Sequence, residues 1–132
     1  MFLITATDKS DSNTYSKNGV LNQCIGSNNY RQGLTIGNAI NIEINNSSFI
    51  NSNGTSPEAG VDIEPDIGYS DSITFNSCIF ENNNGAGLLM TNNTRNSSVI
   101  NSIFKNNSYA QCQIVRCENA LIDNNVFNNS YW

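Results

Sequence analysis

Apolar and polar residues alternate over short segments along most of the chain. Residues 42–44 (IEI) and 61–63 (VDI) are two examples. Stretches rich in Asn and Gly separate these segments, and no segment keeps the 3.6-residue period of an amphipathic helix. The pattern therefore predicts short β-strands joined by tight bends.

The same pattern recurs along the chain with a period of about 23 residues. Phe49, Phe80, Phe104 and Phe127 follow one another at spacings of 31, 24 and 23 residues, and Gly26 stands 23 residues before the first. An apolar residue stands five positions before each of these, and an asparagine stands two positions after it. The apolar residues are Leu21, Ile44, Phe75, Val99 and Ile122, and the asparagines are Asn28, Asn51, Asn82, Asn106 and Asn129.

A repeat of this length with short strands is typical of a solenoid. A leucine-rich repeat needs several Leu per repeat, whereas the whole chain has six, and its 26 Asn and 16 Ser disfavour a helical solenoid. We therefore predict an all-β, right-handed parallel β-helix of about five coils with three strands per coil. It would form one domain over residues 1–132, either alone or as part of a longer spike. Asn tolerates a left-handed bend and can form amide ladders between coils.

Composition excludes several classes of function. The net charge is −5 and the six basic residues are scattered, so no basic surface for nucleic acid is expected. The chain has no histidine, which removes His-based catalysis and the usual zinc sites. No apolar run is long enough to span a membrane, and no signal peptide is visible. The four cysteines lack a Cys-x-x-Cys spacing, and we expect free thiols.

Residues 44–51 (INNSSFIN) and 60–63 (GVDI) resemble the coils of the pectin-lyase-like superfamily of right-handed parallel β-helices. Within it, residues 60–65 (GVDIEP) resemble a strand of phage tail-spike and appendage proteins that bind or cleave surface polysaccharide. The catalytic motifs of polygalacturonases are missing. The resemblance implies a carbohydrate-active protein located outside the cell or on a virion surface, although inert spikes share the fold.

One coil is longer than the others and carries most of the candidate chemistry. The coil that begins at Phe49 has 31 residues, with extra residues at 55–58 and 66–69. In a solenoid, such insertions mark loops on a working face. Five of the eleven acidic residues fall within fourteen positions of this coil: Glu58, Asp62, Glu64, Asp66 and Asp71.

Asp62 and Glu64 are the candidate catalytic pair. If Val61 and Ile63 fill the core, alternation places both carboxylates on the outer face, with β-carbons about 6 to 7 Å apart. This separation is close to that of paired glycosidase carboxylates, and mutual repulsion would leave one acid and one base at neutral pH. The aligned positions on the neighbouring coils are uncharged. For substrate binding, the candidates are Glu58, Asp66, Tyr69 as a stacking ring and Arg116 as a partner for an acidic sugar.

Three alternatives remain open for this strand. The protein would bind a glycan without cleaving it, or the acids would serve only structure and solubility. A third alternative is that Asp62, Glu64 and Asp66 hold Ca²⁺ with loop carbonyls. Cleavage by a lyase would need Arg116 or Tyr69 near the carboxylates.

A second apolar column is expected on the outside of the coil. Ile25, Ile79, Ile103 and Val126 each stand one position before a core residue, so alternation turns them outward. Such a column is a candidate lateral interface, for which a homotrimer of parallel helices is the natural closed symmetry.

Overall fold

The computed structural model describes residues 1–128 and is built almost entirely of short β-strands, with one 3₁₀ turn at Ser12–Thr14. Within the described residues the strands are β1 (Phe2–Ile4), β2 (Ser16–Asn22), β3 (Ile25–Ser27), β4 (Leu34–Ile36), β5 (Ala39–Asn45), β6 (Ser48–Ile50), β7 (Val61–Ile63), β8 (Ser70–Asn76), β9 (Ile79–Glu81), β10 (Ala86–Met90), β11 (Thr94–Arg95), β12 (Ser98–Ile100), β13 (Ile103–Lys105), β14 (Ala110–Ile114), β15 (Leu121–Asp123) and β16 (Val126–Asn128).

The strands form three parallel sheets, and each sheet takes one strand from each successive coil. Sheet A has the order β1-β4-β7-β10-β14, sheet B the order β2-β5-β8-β12-β15, and sheet C the order β3-β6-β9-β13-β16. The small strand β11 pairs with β8 at the edge of sheet B. The chain is thus an all-β parallel solenoid of about five turns with about 24 residues per turn, as the repeat predicted.

The predicted core positions stack in register. Gly26 pairs with Phe49, and the rings of Phe49, Phe80, Phe104 and Phe127 follow with centroid separations of 5.9, 4.5 and 5.0 Å. The second predicted column pairs in the same way on sheet B: Leu21, Ile44, Phe75, Val99 and Ile122. Burial of these apolar columns is what holds successive coils together.

Left-handed residues make the bends between sheets. Asn28, Asn51, Asn82 and Asn106, each two positions after the core column, have φ between 54 and 59°. Asn129 lies outside the described residues. The bends that lead into sheet C, at Gln23, Asn46, Ser77, Asn101 and Asn124, are left-handed as well.

Amide ladders link several asparagines of adjacent coils. Asn41 donates to Asn18 at 2.8 Å and Asn45 donates to Asn22 at 3.1 Å. Inside the coil, the buried Asn83 donates to Asn107 Oδ1 at 2.9 Å. These bonds confirm that asparagine amides pair between adjacent coils.

A column of glycines, Gly33, Gly60 and Gly87, marks a close approach of the coils. The Gly33 N–H donates to the Gly60 carbonyl at 2.9 Å. A β-carbon added to Gly60 would lie 2.6 Å from the Gly87 carbonyl oxygen, so a side chain there would force the backbones apart.

The first insertion is strapped to the preceding coil. The Asn53 and Thr55 amides donate to the carbonyls of Asn29 and Tyr30, both at 2.9 Å, and Arg31 Nε donates to the Ser56 carbonyl at 3.0 Å. These contacts hold the insertion at the entrance to sheet A.

The second insertion is held by the N-terminal segment. Lys9 forms an ion pair with Asp66, the Tyr15 and Tyr69 rings meet edge to face at 5.2 Å, and Asn38 Nδ2 donates to the Ile67 carbonyl. These contacts give Asp66 and Tyr69 structural partners.

Two further expectations are confirmed. The outer column on sheet C is exposed at Ile25, Ile79, Ile103 and Val126, although Ser48 interrupts it. All four cysteines are unpaired, and Cys112 pairs with Leu88 in the register and packs against the core.

Candidate functional site

The outer face of sheet A carries a trough that crosses the solenoid along β10. Leu89, which points outward from β10, lies on its floor. Two adjoining clefts of about 450 and 340 Å³ form the trough, and both are lined by Leu89, Tyr109 and Gln113. Because β10 lies between β7 and β14, one wall comes from the long coil and the other from the coil of β14.

Both insertions of the long coil contribute to the walls. The smaller cleft is bounded by Ser56, Pro57 and Glu58 of the first insertion, together with Asn84. The larger cleft is bounded by Glu64, Pro65 and Asp66, together with Thr91, Asn92 and Val115. The irregular coil thus builds one side of the trough.

Asp62 points outward from sheet A, but it is not exposed. Its register partners are Thr35 and Leu89, as alternation predicted, yet only 1% of the residue is accessible to solvent. Gln32 lies on the same outer face, because its Nε2 donates to Thr35 Oγ1 at 2.7 Å. The expectation of an exposed acidic strand is therefore wrong for Asp62.

Burial changes the protonation of Asp62. Removal from water, which is the largest cause, and the neighbouring Glu64 carboxylate together raise the pKa of Asp62 to about 6, although Arg31 opposes them. Within residues 1–128, neither Asp62 Oδ1 nor Gln32 Oε1 has a hydrogen-bond partner. Asp62 therefore holds its proton below about pH 6 and loses it at neutral pH, where we had expected one acid and one base.

Glu64 is the carboxylate of the pair that reaches solvent. It lies just after β7, its backbone N–H donates to the Ile36 carbonyl at 2.9 Å, and its side chain lines the larger cleft. Thr91 is hydrogen-bonded to the coil that carries Glu64: its backbone N–H and its hydroxyl both donate to the Ile63 carbonyl at 3.0 Å. Glu64 can thus contact a ligand in the trough directly.

Glu58 and Asp66 line the trough but also serve the loops. Glu58 has φ 52°, and its carboxylate accepts from the Gly54 N–H at 2.8 Å and from Asn84 Nδ2 at 2.7 Å. These bonds brace the first insertion. Asp66 is neutralised by Lys9.

Tyr69 and Arg116 come together, but outside the trough. They line a third cleft of about 300 Å³ with Arg95 and Glu118. The Arg95 guanidinium covers the Tyr69 ring at 3.9 Å from its centroid, and Arg95 Nε donates to Asp71 at 2.7 Å. Partial burial raises the pKa of Asp71, but hydrogen bonds from Asn96, Arg95 and Ser72 outweigh it and hold that pKa below its ordinary value. One face of Tyr69 is thus already occupied.

The carboxylates do not form a metal centre. Within residues 1–128 there is no group of three or more His, Cys, Asp or Glu side chains placed to hold a metal ion. Asp62, Glu64 and Asp66 therefore do not combine into the calcium site that was one alternative. The described residues also contain no helix long and apolar enough to cross a membrane.

Comparison with known families agrees with this architecture. The family described as "Right handed beta helix region" matches residues 6–127, which is nearly the whole chain. The chain belongs to the right-handed β-helix family. Neither the comparison with curated proteins nor that with solved structures found a match.

Membership of the right-handed β-helix family fixes the hand of the solenoid and supports a carbohydrate-active or structural role. It does not assign a reaction, since the family match covers the repeating scaffold.

Sequence reasoning did not single out Tyr109, which lines both clefts of the trough in this right-handed β-helix. Tyr109 lies just before β14, its N–H donates to the Gly85 carbonyl at 3.2 Å, and it is 74% exposed. The insertions and the acidic residues that predicted a site lie in the long coil, whereas Tyr109 is two coils further along. An aromatic residue at a bend position aligned with glycine was the available signal.

Proposed function

We propose that the chain binds a polysaccharide in the trough of sheet A. The observation that carries this proposal is Tyr109, an exposed aromatic residue shared by two adjoining clefts. Exposing a tyrosine to this degree beside an apolar floor residue is unfavourable for a scaffold and useful for a ligand. The length of the trough suits a chain-like ligand.

The lining matches the chemistry of sugars. A sugar ring has apolar C–H faces that pack on an aromatic ring and hydroxyls that exchange hydrogen bonds with amides and carboxylates. Tyr109 would supply the ring. Asn84, Asn92, Gln113 and Glu64 would supply the polar contacts. A surface polysaccharide as ligand would place the protein outside a cell or on a virion.

The test is binding to a panel of polysaccharides by the wild type and two variants at one position. Tyr109→Ala should weaken binding of the best ligand by about tenfold, because it removes the stacking surface. Tyr109→Phe keeps the ring and should retain most of the affinity. Equal affinity of wild type and Tyr109→Ala would contradict the proposal.

Cleavage of the bound glycan is the second candidate, favoured by one specific observation. Asp62 and Glu64 are neighbouring carboxyls on and just after β7, and the pKa of Asp62 is raised to about 6 mainly by burial, so Asp62 keeps a proton to donate in mildly acidic solution. Asp62 would have to become accessible when the ligand binds. Hydrolysis predicts new reducing ends at about pH 5 that disappear in Asp62→Asn and in Glu64→Gln. Ends that absorb in the ultraviolet would favour a lyase.

A further inference from the structure

The cleft that contains Tyr69 and Arg116 lies next to the larger cleft of the trough, around the bend that follows sheet A. Asn92 and Val115 line the trough, whereas the residues that directly follow them, Asn93 and Arg116, line the third cleft. A polymer leaving the trough at this end would meet the third cleft next.

Arg95 is held in one orientation within this cleft. Its guanidinium lies on the Tyr69 ring, and its Nε donates to Asp71 at 2.7 Å. Tyr69 is itself fixed by Tyr15, at 5.2 Å between ring centroids. A guanidinium has five N–H donors, so one ion pair through Nε leaves the terminal nitrogens free for another oxyanion. Arg95 is therefore a preorganised donor.

Arg116 has a left-handed backbone conformation, which in this chain is mostly taken by asparagine. It has φ 55°, and twelve of the seventeen non-glycine residues with positive φ in the described part of the chain are asparagine. Glu58, the other charged residue in this set, is compensated by two hydrogen bonds. Among residues 1–128, Arg116 has no hydrogen-bond or ion-pair partner.

The fold does not explain an unpaired charged side chain at position 116, because asparagine would make the same left-handed bend with less backbone strain. Two of the six basic residues of a chain with net charge −5 line this single cleft. Glu118 also lines the cleft, and its negative charge repels an anion. We therefore expect the cleft to bind an anionic ligand weakly and to choose among anions by their shape.

We propose that the third cleft binds an oxyanion carried by a sugar, held between Arg95 and Arg116 at the end of the trough. This inference rests on the proposed function, because it adds one charged sugar unit to the polysaccharide bound along β10. Tyr69, Arg95 and Asp71 form the braced side of the site, and Arg116 would contact the ligand from the opposite side.

The test compares two probes that differ only in charge: an oligosaccharide containing glucuronic acid, and the methyl ester of the same oligosaccharide. Arginine Nε–Hε signals in two-dimensional NMR follow the titration, since the chain has three arginines. We expect the acid to shift the signals of Arg95 and Arg116 more strongly than that of Arg31, whose Nε–H is hydrogen-bonded to Ser56 at the other end of the trough. The ester should bind about tenfold more weakly.

Two variants separate binding from stability. Arg116→Asn installs the residue favoured at such bends, so its melting temperature should equal or exceed that of the wild type, while the preference for acid over ester is lost. Glu118→Gln removes the opposing carboxylate and should strengthen binding of the acid about two- to threefold. Inorganic sulfate serves as the probe for a free anion and should bind more weakly than the oligosaccharide.

The outcomes distinguish this inference from the proposed function. Loss of all binding in Tyr109→Ala, together with an unchanged acid preference in Arg116→Asn, would overturn the third cleft and leave the trough intact. Binding of the acid that depends on Arg116 but has the same affinity in Tyr109→Ala as in the wild type would overturn the trough. Sulfate bound as tightly as the oligosaccharide would show that the sugar plays no part.

Discussion

Replacing Asp62 by asparagine should stabilise the protein at neutral pH. Asp62 is 1% exposed, and burial raises its pKa to about 6 from an ordinary value of 3.8. The folded state therefore holds this proton more tightly than the unfolded state does. As the pH rises through the interval from about 4 to about 6, the unfolded state releases the proton first, and stability falls.

The size of the effect follows from the two pKa values. A difference of about two pKa units corresponds to about 3 kcal/mol of unfolding free energy, all of it lost above about pH 7. Asp62→Asn keeps the shape of the side chain, supplies donors as the protonated acid does, and cannot ionise. It should therefore raise the melting temperature by about 10 °C at pH 7.5 and change it little at pH 4.

The assay is thermal and urea unfolding of wild type and Asp62→Asn at several pH values, supported by carboxyl NMR titration. Glu64→Gln should lower the apparent pKa of Asp62, because the Glu64 carboxylate contributes to raising it. Asp123→Asn changes an exposed acid at β15 and serves as the matched control. A titration of Asp62 at about pH 4, with equal stability of Asp62→Asn and wild type at pH 7.5, would refute the reasoning.

Three further predictions concern the scaffold and its assembly. Phe80→Ala should lower the unfolding free energy by about 3 to 5 kcal/mol in urea titration, because the ring is buried between Phe49 and Phe104; a loss below about 1 kcal/mol would contradict the stacked core. Thiol titration of the denatured, unreduced protein should find four thiols per chain, and a lower number would indicate a disulfide. We propose that the exposed column on sheet C packs against other copies of the chain in a trimer. Light scattering should then show that the double variant Ile79→Lys and Ile103→Lys dissociates the trimer before the coil unfolds. A stable wild-type monomer at micromolar concentration would exclude the trimer.

The repeat made the scaffold predictable from the sequence. The Phe column, the aliphatic column and the left-handed asparagine column recur from coil to coil. A single register between neighbouring coils therefore aligns all three columns at once. The outward column on sheet C followed from alternation alone.

The site was less predictable because it depends on contacts between segments that break the repeat. Alternation placed Asp62 on the outer face but gave no information about Gln32, which lies on the same face and is nearly buried itself. Likewise, the pairing of Tyr69 with Arg95 depends on how the second insertion folds against the N-terminal segment. Tyr109 lies in a coil of ordinary length, where no insertion marked it.

Mapping the bound polysaccharide by backbone amide NMR tests the central claim most directly. With the best ligand from the panel, the largest shifts should fall on β10, on Tyr109 and Gln113, and on the insertion residues at 56–58 and 64–66. Sheet C should remain unaffected and provides the internal control. Shifts confined to sheets B or C, with the signals of β10 and Tyr109 unchanged at saturation, would contradict the assignment of the trough as the binding site.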